Sequence, residues 1–220
     1  MKSFRFVIKG LLVAIIGGGI FLAFTTNEKP IVYLVGDSTM SVKDVEAYPE
    51  TGWGMPFVHY FTSGIEIENH ARNGRSTRTF MEEGRWHVIL RELKEGDYVF
   101  IQFGHNDEVP SKSRYTPPAQ YQELLRQYIS ESLEKGATPI LLTPITRRQF
   151  DDDGKVKETH EQYSELVREV AASEDVAIID MDRKSQALLN EIGEEKSTLL
   201  FLQLKAGQNP HYPGGITDNT

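Results

Sequence analysis

The sequence runs to 220 residues with a net charge of −8 and 39% hydrophobic residues, enough for one domain with a substantial core and too few for two comfortable ones. It contains no cysteine, which excludes disulfides, thiol nucleophiles and Cys-based metal sites. The acidic balance argues against nucleic acid as a partner, because such binding is dominated by neutralising phosphates.

The N-terminus departs from the average composition. Lys2, Arg5 and Lys9 precede Leu11–Phe24, which is apolar apart from Gly17, Gly18 and Gly19. This reads as the basic and apolar parts of a secretory signal. Fourteen residues would span roughly 21 Å as a helix, short of a ~30 Å hydrocarbon core. Residues 1–26 are therefore read as a signal peptide, or as an N-terminal anchor if uncleaved, and residues 27–220 as the domain. Membrane contact is expected only through the uncleaved segment. Its removal would take the charge from −8 to about −11, since it carries three basic residues and no acidic one.

Beyond the leader, strand-like and helix-like stretches alternate, the pattern of a parallel sheet with crossover helices. Ile31–Val35 is the first predicted strand, and Ile65–Glu68 a short alternating run suited to an edge. Phe80–Leu93 has helical spacing interrupted at Gly84. Tyr98–Phe103 is a buried central strand. Pro118–Lys135 is a helix with Tyr121, Leu124, Leu125, Tyr128, Ile129 and Leu133 on one face and Gly136 past its end. Pro139–Leu142 is the fourth strand, Thr159–Ala172 a helix, Val176–Ile179 the fifth strand and Asp182–Ile192 a further helix. Gly207–Gly215 is read as a loop with no element after it. Asp151-Asp152-Asp153-Gly154 lacks the alternate acidic spacing of a calcium loop and is read as a solvated turn. No His/Asp cluster has metal-ligand spacing, and neither metal nor cofactor is expected.

Three strand ends carry polar turns. Gly36-Asp37-Ser38 closes the first strand, Asn73-Gly74 follows the second, and Gly104-His105-Asn106-Asp107 closes the third. Singly, each is an ordinary turn or helix-capping sequence. In this order they resemble three successive blocks of the SGNH (GDSL-type) hydrolases. The wider phrases Val35-Gly36-Asp37-Ser38-Thr39, Gly52-Trp53-Gly54, Ala71-Arg72-Asn73-Gly74-Arg75-Ser76, Gln102-Phe103-Gly104-His105-Asn106-Asp107 and Leu142-Thr143-Pro144 resemble the rhamnogalacturonan acetylesterase branch. The likeness covers about Pro30 to Thr220.

The resemblance implies a three-layer α/β/α, flavodoxin-like sandwich whose five parallel strands run in the order 2-1-3-4-5. It implies Ser38 as nucleophile, and an oxyanion hole built from the Ser38 and Gly74 N–H groups and the Asn106 amide. Substrate contacts are expected from Asp37, Thr39, Arg75, His105, Arg147 and His211. Arg72, Arg78 and Arg148 also lie in or beside loops near the expected cleft, where arginine suits the carboxylates of a galacturonate-rich polysaccharide. Trp53 and Tyr115 are candidates for stacking on sugars. The substrate implied is an acetylated plant cell-wall polysaccharide, rhamnogalacturonan first.

The last block of the family is Asp-x-x-His. Asp218-Asn219-Thr220 fill its first three positions, and the position of the histidine would follow Thr220. The reading is thus of Asp218 orienting a base outside the 220 residues. The domain is expected to be incomplete at its C-terminus, without the helix that follows this block in the family. Loss of a triad member costs several powers of ten in rate, so the 220-residue chain is expected to be inactive or nearly so. His105 and His211 are the histidines expected near the site, and neither takes the base role in the family pattern. His59, His70, His87 and His160 read as structural or surface residues. Two other readings stand beside the esterase: a carbohydrate-binding remnant without turnover, and a lipase- or thioesterase-type member of the same superfamily.

Overall fold

The computed structural model describes residues 29–220; the predicted signal or anchor segment, 1–26, lies outside the described residues. Five parallel strands form the central sheet: β1 (Ile31–Gly36), β2 (Glu66–Asn69), β3 (Tyr98–Gln102), β4 (Thr138–Leu142) and β5 (Ala177–Ile179). Their spatial order is β2-β1-β3-β4-β5, as the resemblance implied. Tyr33, Leu34 and Val35 are fully buried on successive positions of β1, the mark of a central strand covered on both faces. β2 is half-exposed, as its alternating Ile-Glu pattern and edge position require.

The helices follow from local chemistry. The stretch read as one interrupted helix forms two, α2 (Thr77–Glu82) and α3 (Arg85–Glu92). Gly84 between them adopts φ +71°, a left-handed conformation that stops the first helix and opens the second. Ser76 caps α2 in a reciprocal box with Thr79. α4 (Pro118–Glu134) begins with proline at its first turn, where the missing N–H is no loss. α5 (Glu161–Ser173) and α6 (Met181–Ser197, kinked at Gly193) complete the larger helices. A short helix, α1 (Gly54–Phe57), and 3-10 turns at Val45–Ala47 and Val58–Tyr60 precede β2.

Tyr33, Val35, Val99, Ile101 and Leu141 on one sheet face pack against Phe80, Trp86, Ile89, Tyr121, Leu125, Tyr128 and Val167 of α2–α5. Trp86 and Tyr128 meet edge-on, with centroids 4.9 Å apart, a geometry that suits the aromatic quadrupoles. On the opposite face, Val32 and Leu34 pack with Met40, Ala71, Trp53 and Phe57. That second face thins toward β5: Phe100 and Ile140 are half-buried and Ala177 is exposed.

The C-terminal stretch corrects the reading of an unpaired loop. Gln203–Leu204 (β6) and Ile216–Thr217 (β7) form a two-stranded antiparallel pair, and the Gly- and Pro-rich segment is the loop that joins them. Two-residue strands are too short to show a period of two, so their pattern was invisible in the sequence.

The consequence for function is the position of the strand ends. β1 and β3 are neighbours, while β2 lies on the other side of β1. The chain order reverses there, and open α/β sheets bind ligands at the carboxyl ends of such a switch point. Asp37-Ser38 follows β1 and His105-Asn106 follows β3.

Candidate active site

Ser38 sits in the turn directly after β1 and is half-buried. The Asp37 carbonyl accepts from the Met40 and Ser41 N–H groups at 3.3 and 3.1 Å, which closes that turn. The Ser38 hydroxyl and its N–H have no hydrogen-bond partner among the described residues, nor has the N–H of Gly74. Gly74 has φ +76°, a conformation that glycine adopts without the Cβ clash. Asn106, 5% exposed, donates one amide hydrogen to the Arg75 carbonyl at 2.8 Å. An amide carries two donors, so its second hydrogen is available to a ligand.

Lys43 ties these loops together, and the sequence reading passed over it. Its side chain is 3% exposed. Its ammonium donates to the Ser38 carbonyl at 2.6 Å and to Asn73 Oδ1 at 2.9 Å, and pairs with Glu50 at 2.7 Å. Three donors thus meet three acceptors. Ser41 Oγ also reaches Asn73 Oδ1, at 2.5 Å. The Ser38 turn and the Asn73–Gly74 turn are therefore stitched to one another.

Beneath Ser38 lies a buried polar network. Asp37 Oδ1 accepts from the Thr39 N–H at 2.9 Å and from its hydroxyl at 2.8 Å. Burial pushes the Asp37 carboxyl above the usual range, against the pull of those two bonds. Gln102, at the end of β3 and fully buried, accepts from Trp53 Nε1 at 2.7 Å and from Thr39 at 3.2 Å, and donates to the Thr143 carbonyl at 3.1 Å. One amide thereby joins β1, β3, β4 and the Trp53 segment. Asp37 and Thr39 hold the floor of the site, and Trp53 forms part of its wall.

Asp107 follows Asn106 and is fully buried. Its Oδ1 accepts from the Thr77 N–H at 2.9 Å and hydroxyl at 2.6 Å, fixing the start of α2 against the β3 loop. Burial raises its carboxyl to about 7.

His105 is buried, and its Nε2 lies 2.9 Å from the Ile145 carbonyl. A carbonyl only accepts, so Nε2 carries the proton and Nδ1 is the unprotonated nitrogen. Burial holds this imidazole well below its ordinary value, with His160 and Arg147 adding to the effect. Nδ1 is buried without a partner among the described residues. The ring meets His160 at 4.2 Å between centroids. His160 Nδ1 donates to Glu108 at 2.7 Å, and Arg147 pairs with the other Glu108 oxygen at 2.6 Å. Burial opposes ionisation of Glu108, but the bonds from His160 and Arg147 outweigh it and hold the carboxyl low.

Asp218 stands at the end of β7. Its N–H donates to the Leu202 carbonyl and its Oδ1 accepts from the Thr220 N–H, both at 2.9 Å. Arg148 clamps the next residue: its N–H donates to the Asn219 carbonyl at 2.9 Å, and its guanidinium reaches Asn219 Oδ1, Ser197 Oγ and the Glu194 carbonyl. Gln203 donates to the Asp218 carbonyl at 3.0 Å. The loop after β4 and the hairpin thus fix the Asp218 segment together.

A cleft of about 970 Å³ collects these parts. Ser38, Thr39, His105, Asn106, Arg147 and Asp218 all line it. Trp53 and Thr220 line it too, with Arg114 and an apolar wall that includes Leu188 and Phe201. Asp37 lies below its floor. Gly74 and Arg75 stand beside it, joined through Asn106 and Asn73. His211 is exposed in the β6–β7 loop and does not line the cleft. Of the loop arginines singled out in the sequence, Arg75 pairs with Glu83, Arg78 with Glu82, and Arg148 is spent on the hairpin; Arg72 is exposed. A hydroxyl, two N–H groups and one amide hydrogen without partners among the described residues, and a carboxylate along the same cleft, are parts that acyl transfer uses; the base that takes the hydroxyl proton is not among them.

Comparison with known proteins agrees. Residues 34–201 match the GDSL-like Lipase/Acylhydrolase family. The chain is 39% identical over 194 residues to the rhamnogalacturonan acetylesterase RhgT of Bacillus subtilis (strain 168), covering 88% of this chain and 83% of that protein. It is 38% identical over 173 residues to the probable rhamnogalacturonan acetylesterase YesY of the same organism, covering 78% and 79%. The crystal structure of YxiM from Bacillus subtilis superposes with a TM-score of 0.72 at 29% identity, over 79% of this chain and 49% of that one. The chain thus spans about half the length of YxiM.

Proposed function

This chain belongs to the GDSL-like Lipase/Acylhydrolase family, and from that premise we propose that it is a serine carbohydrate esterase that removes O-acetyl groups from a pectic polysaccharide. The observation that carries the reading is the meeting of Ser38, Asn106 and Asp218 along one cleft at the switch point of the sheet. The relatives at 38–39% identity, named as acetylesterases of rhamnogalacturonan, support that substrate class.

In this mechanism Ser38 Oγ attacks the acetyl carbonyl while a base oriented by the Asp218 carboxylate accepts the hydroxyl proton, a role that the family's Asp-x-x-His block gives to a histidine three residues after Asp218. The oxyanion that forms is met by the Ser38 N–H, the Gly74 N–H and the free hydrogen of the Asn106 amide. Such donors are worth about 3–4 kcal/mol of barrier each because they are aimed before the charge develops. Collapse breaks the sugar–oxygen bond to the acyl carbon, and the histidine returns its proton to the departing sugar oxygen. Water, deprotonated by the same histidine, then attacks the acetyl-serine; the bond from the acyl carbon to Ser38 Oγ breaks, the histidine returns the proton to Ser38 Oγ, and acetate is released. The steps need neither metal nor cofactor.

Export is part of the proposal: the basic and apolar pattern of residues 2–24 supports a periplasmic or extracellular site, where a polysaccharide would be met. The test is acetate release from acetylated rhamnogalacturonan by the chain carried through a histidine at the position after Thr220, with Ser38→Ala as control. Release that depends on Ser38 supports the reading. Equal release from both proteins would overturn it.

A further inference from the structure

Four cationic side chains line the cleft: Lys43, Arg114, Arg147 and Lys184. Their partners separate them. The Lys43 ammonium is saturated by Glu50, Asn73 and the Ser38 carbonyl. Arg147 is neutralised by Glu108. Lys184 is exposed on α6, where a solvated ammonium gains little from an ion pair.

Arg114 differs from all three. It is half-buried and has no ion pair or hydrogen bond among the described residues. Its Nε is shielded from solvent with no partner among the described residues, a costly condition for a charged donor. Its Nη1 lies 3.9 Å from the point where a Cβ on Gly74 would stand. The unpaired guanidinium therefore sits against the backbone whose N–H is assigned to the oxyanion.

The loop holds Arg114 in place from both sides. Arg78, itself paired with Glu82 at 2.8 Å, donates to the Ser113 carbonyl at 2.5 Å and to the Tyr115 carbonyl at 3.2 and 3.3 Å. The residues flanking Arg114 are thus fixed before binding, which lowers the entropy that a ligand contact must overcome. Tyr115 also closes a turn on Lys112 at 3.0 Å.

We propose that Arg114 receives the carboxylate of a uronic acid residue in the substrate, next to the acetyl ester that Ser38 attacks. This rests on the esterase reading above and deepens it: the cleft selects an acetylated acidic polysaccharide over a neutral one. The warrant is chemical. A guanidinium offers a planar fork matched to a carboxylate, and Arg114 is the cleft-lining arginine whose charge is not cancelled within the described residues.

The test is calorimetric binding, which requires no turnover and uses the 220-residue chain itself. Two ligands are compared: acetylated rhamnogalacturonan oligosaccharides, and the same oligosaccharides with their carboxyl groups reduced to alcohols. The native chain should bind the acidic ligand about 10–100-fold more tightly, the range of a hydrogen bond to a charged group. Arg114→Gln should bind both ligands equally, with the affinity that the native chain has for the reduced one. Arg114→Lys should keep only part of the preference, and Lys184→Gln all of it. If Arg114→Gln retains the preference, or the native chain shows none, the assignment of Arg114 is overturned while the esterase reading stands. If the native chain binds neither oligosaccharide, the pectic substrate is overturned, and Arg114's role with it.

Discussion

The Asn106 amide donates to the Arg75 carbonyl at 2.8 Å, so one donor of the proposed oxyanion hole is hung from the loop that carries another, Gly74. The hole is a product of two loops from different strands, and its spacing is set by this bond together with the bridge from Lys43 and Ser41 to Asn73. Asn106→Ala should lower kcat by about 10²–10³ with a much smaller change in KM. Steady-state kinetics on an acetylated substrate checks it, in protein that carries the histidine. A loss confined to KM would count against an oxyanion role.

Lys43 holds the turn of Ser38, the proposed nucleophile, through the Ser38 carbonyl. Lys43→Met keeps the length of the side chain and removes three hydrogen bonds, leaving Glu50 and the Ser38 carbonyl without that partner. Stability should fall by about 2 kcal/mol, read by denaturant unfolding. Turnover should fall further than that loss explains, because the Ser38 and Gly74 loops are no longer tied.

Asp107 makes stability depend on pH in a defined direction. Its folded-state value is raised to about 7, whereas in the unfolded chain it titrates near 4. The folded protein therefore keeps a proton that the unfolded chain has lost between those values. The stabilisation is full below about pH 4 and is lost as pH rises to about 7. Asp107→Asn keeps the acceptor for Thr77 and removes the titration. The stability of the variant relative to the native protein should rise by about 3 kcal/mol between pH 4 and pH 7 and then level off. Parallel unfolding curves across that range would refute it.

Arg148 acts on Asp218 through Asn219. Arg148→Ala should leave the sheet and the Ser38 turn intact and cut kcat by about tenfold to a hundredfold, as misplacement of catalytic groups by about 1 Å does. Binding of the reduced oligosaccharide should change little, which separates misplacement from loss of fold.

Much of the architecture was legible in the sequence because buried parallel strands announce themselves as apolar runs. Tyr98–Phe103 and Pro139–Leu142 are such runs, and Gly84 marks its own break between helices. The Ser38 and Asn106 turns were visible because they close strands in a recognisable order. What stayed hidden has a common cause: it depends on where loops meet. Lys43 belongs to no motif in the sequence, and its place is set only where Asn73 and Glu50 surround it. Arg114 lies in the 15-residue stretch between β3 and α4, with no periodicity to place it. Gln102 reads as a polar interruption of a strand, and only the approach of Trp53 and Thr39 makes it a hub. The β6–β7 hairpin was missed because two residues cannot show a pattern. Of the two alternatives for His160, structural or surface, the structural one holds: its side chain is fully buried between His105 and Glu108.

The most direct measurement is acetate release from acetylated rhamnogalacturonan by two proteins, each carrying a histidine three residues after Asp218: the Ser38→Ala variant, and the protein with Ser38 in place. The account predicts rapid release by the second alone, several powers of ten above the first. A folded second protein that releases no more acetate than its Ser38→Ala variant would contradict it.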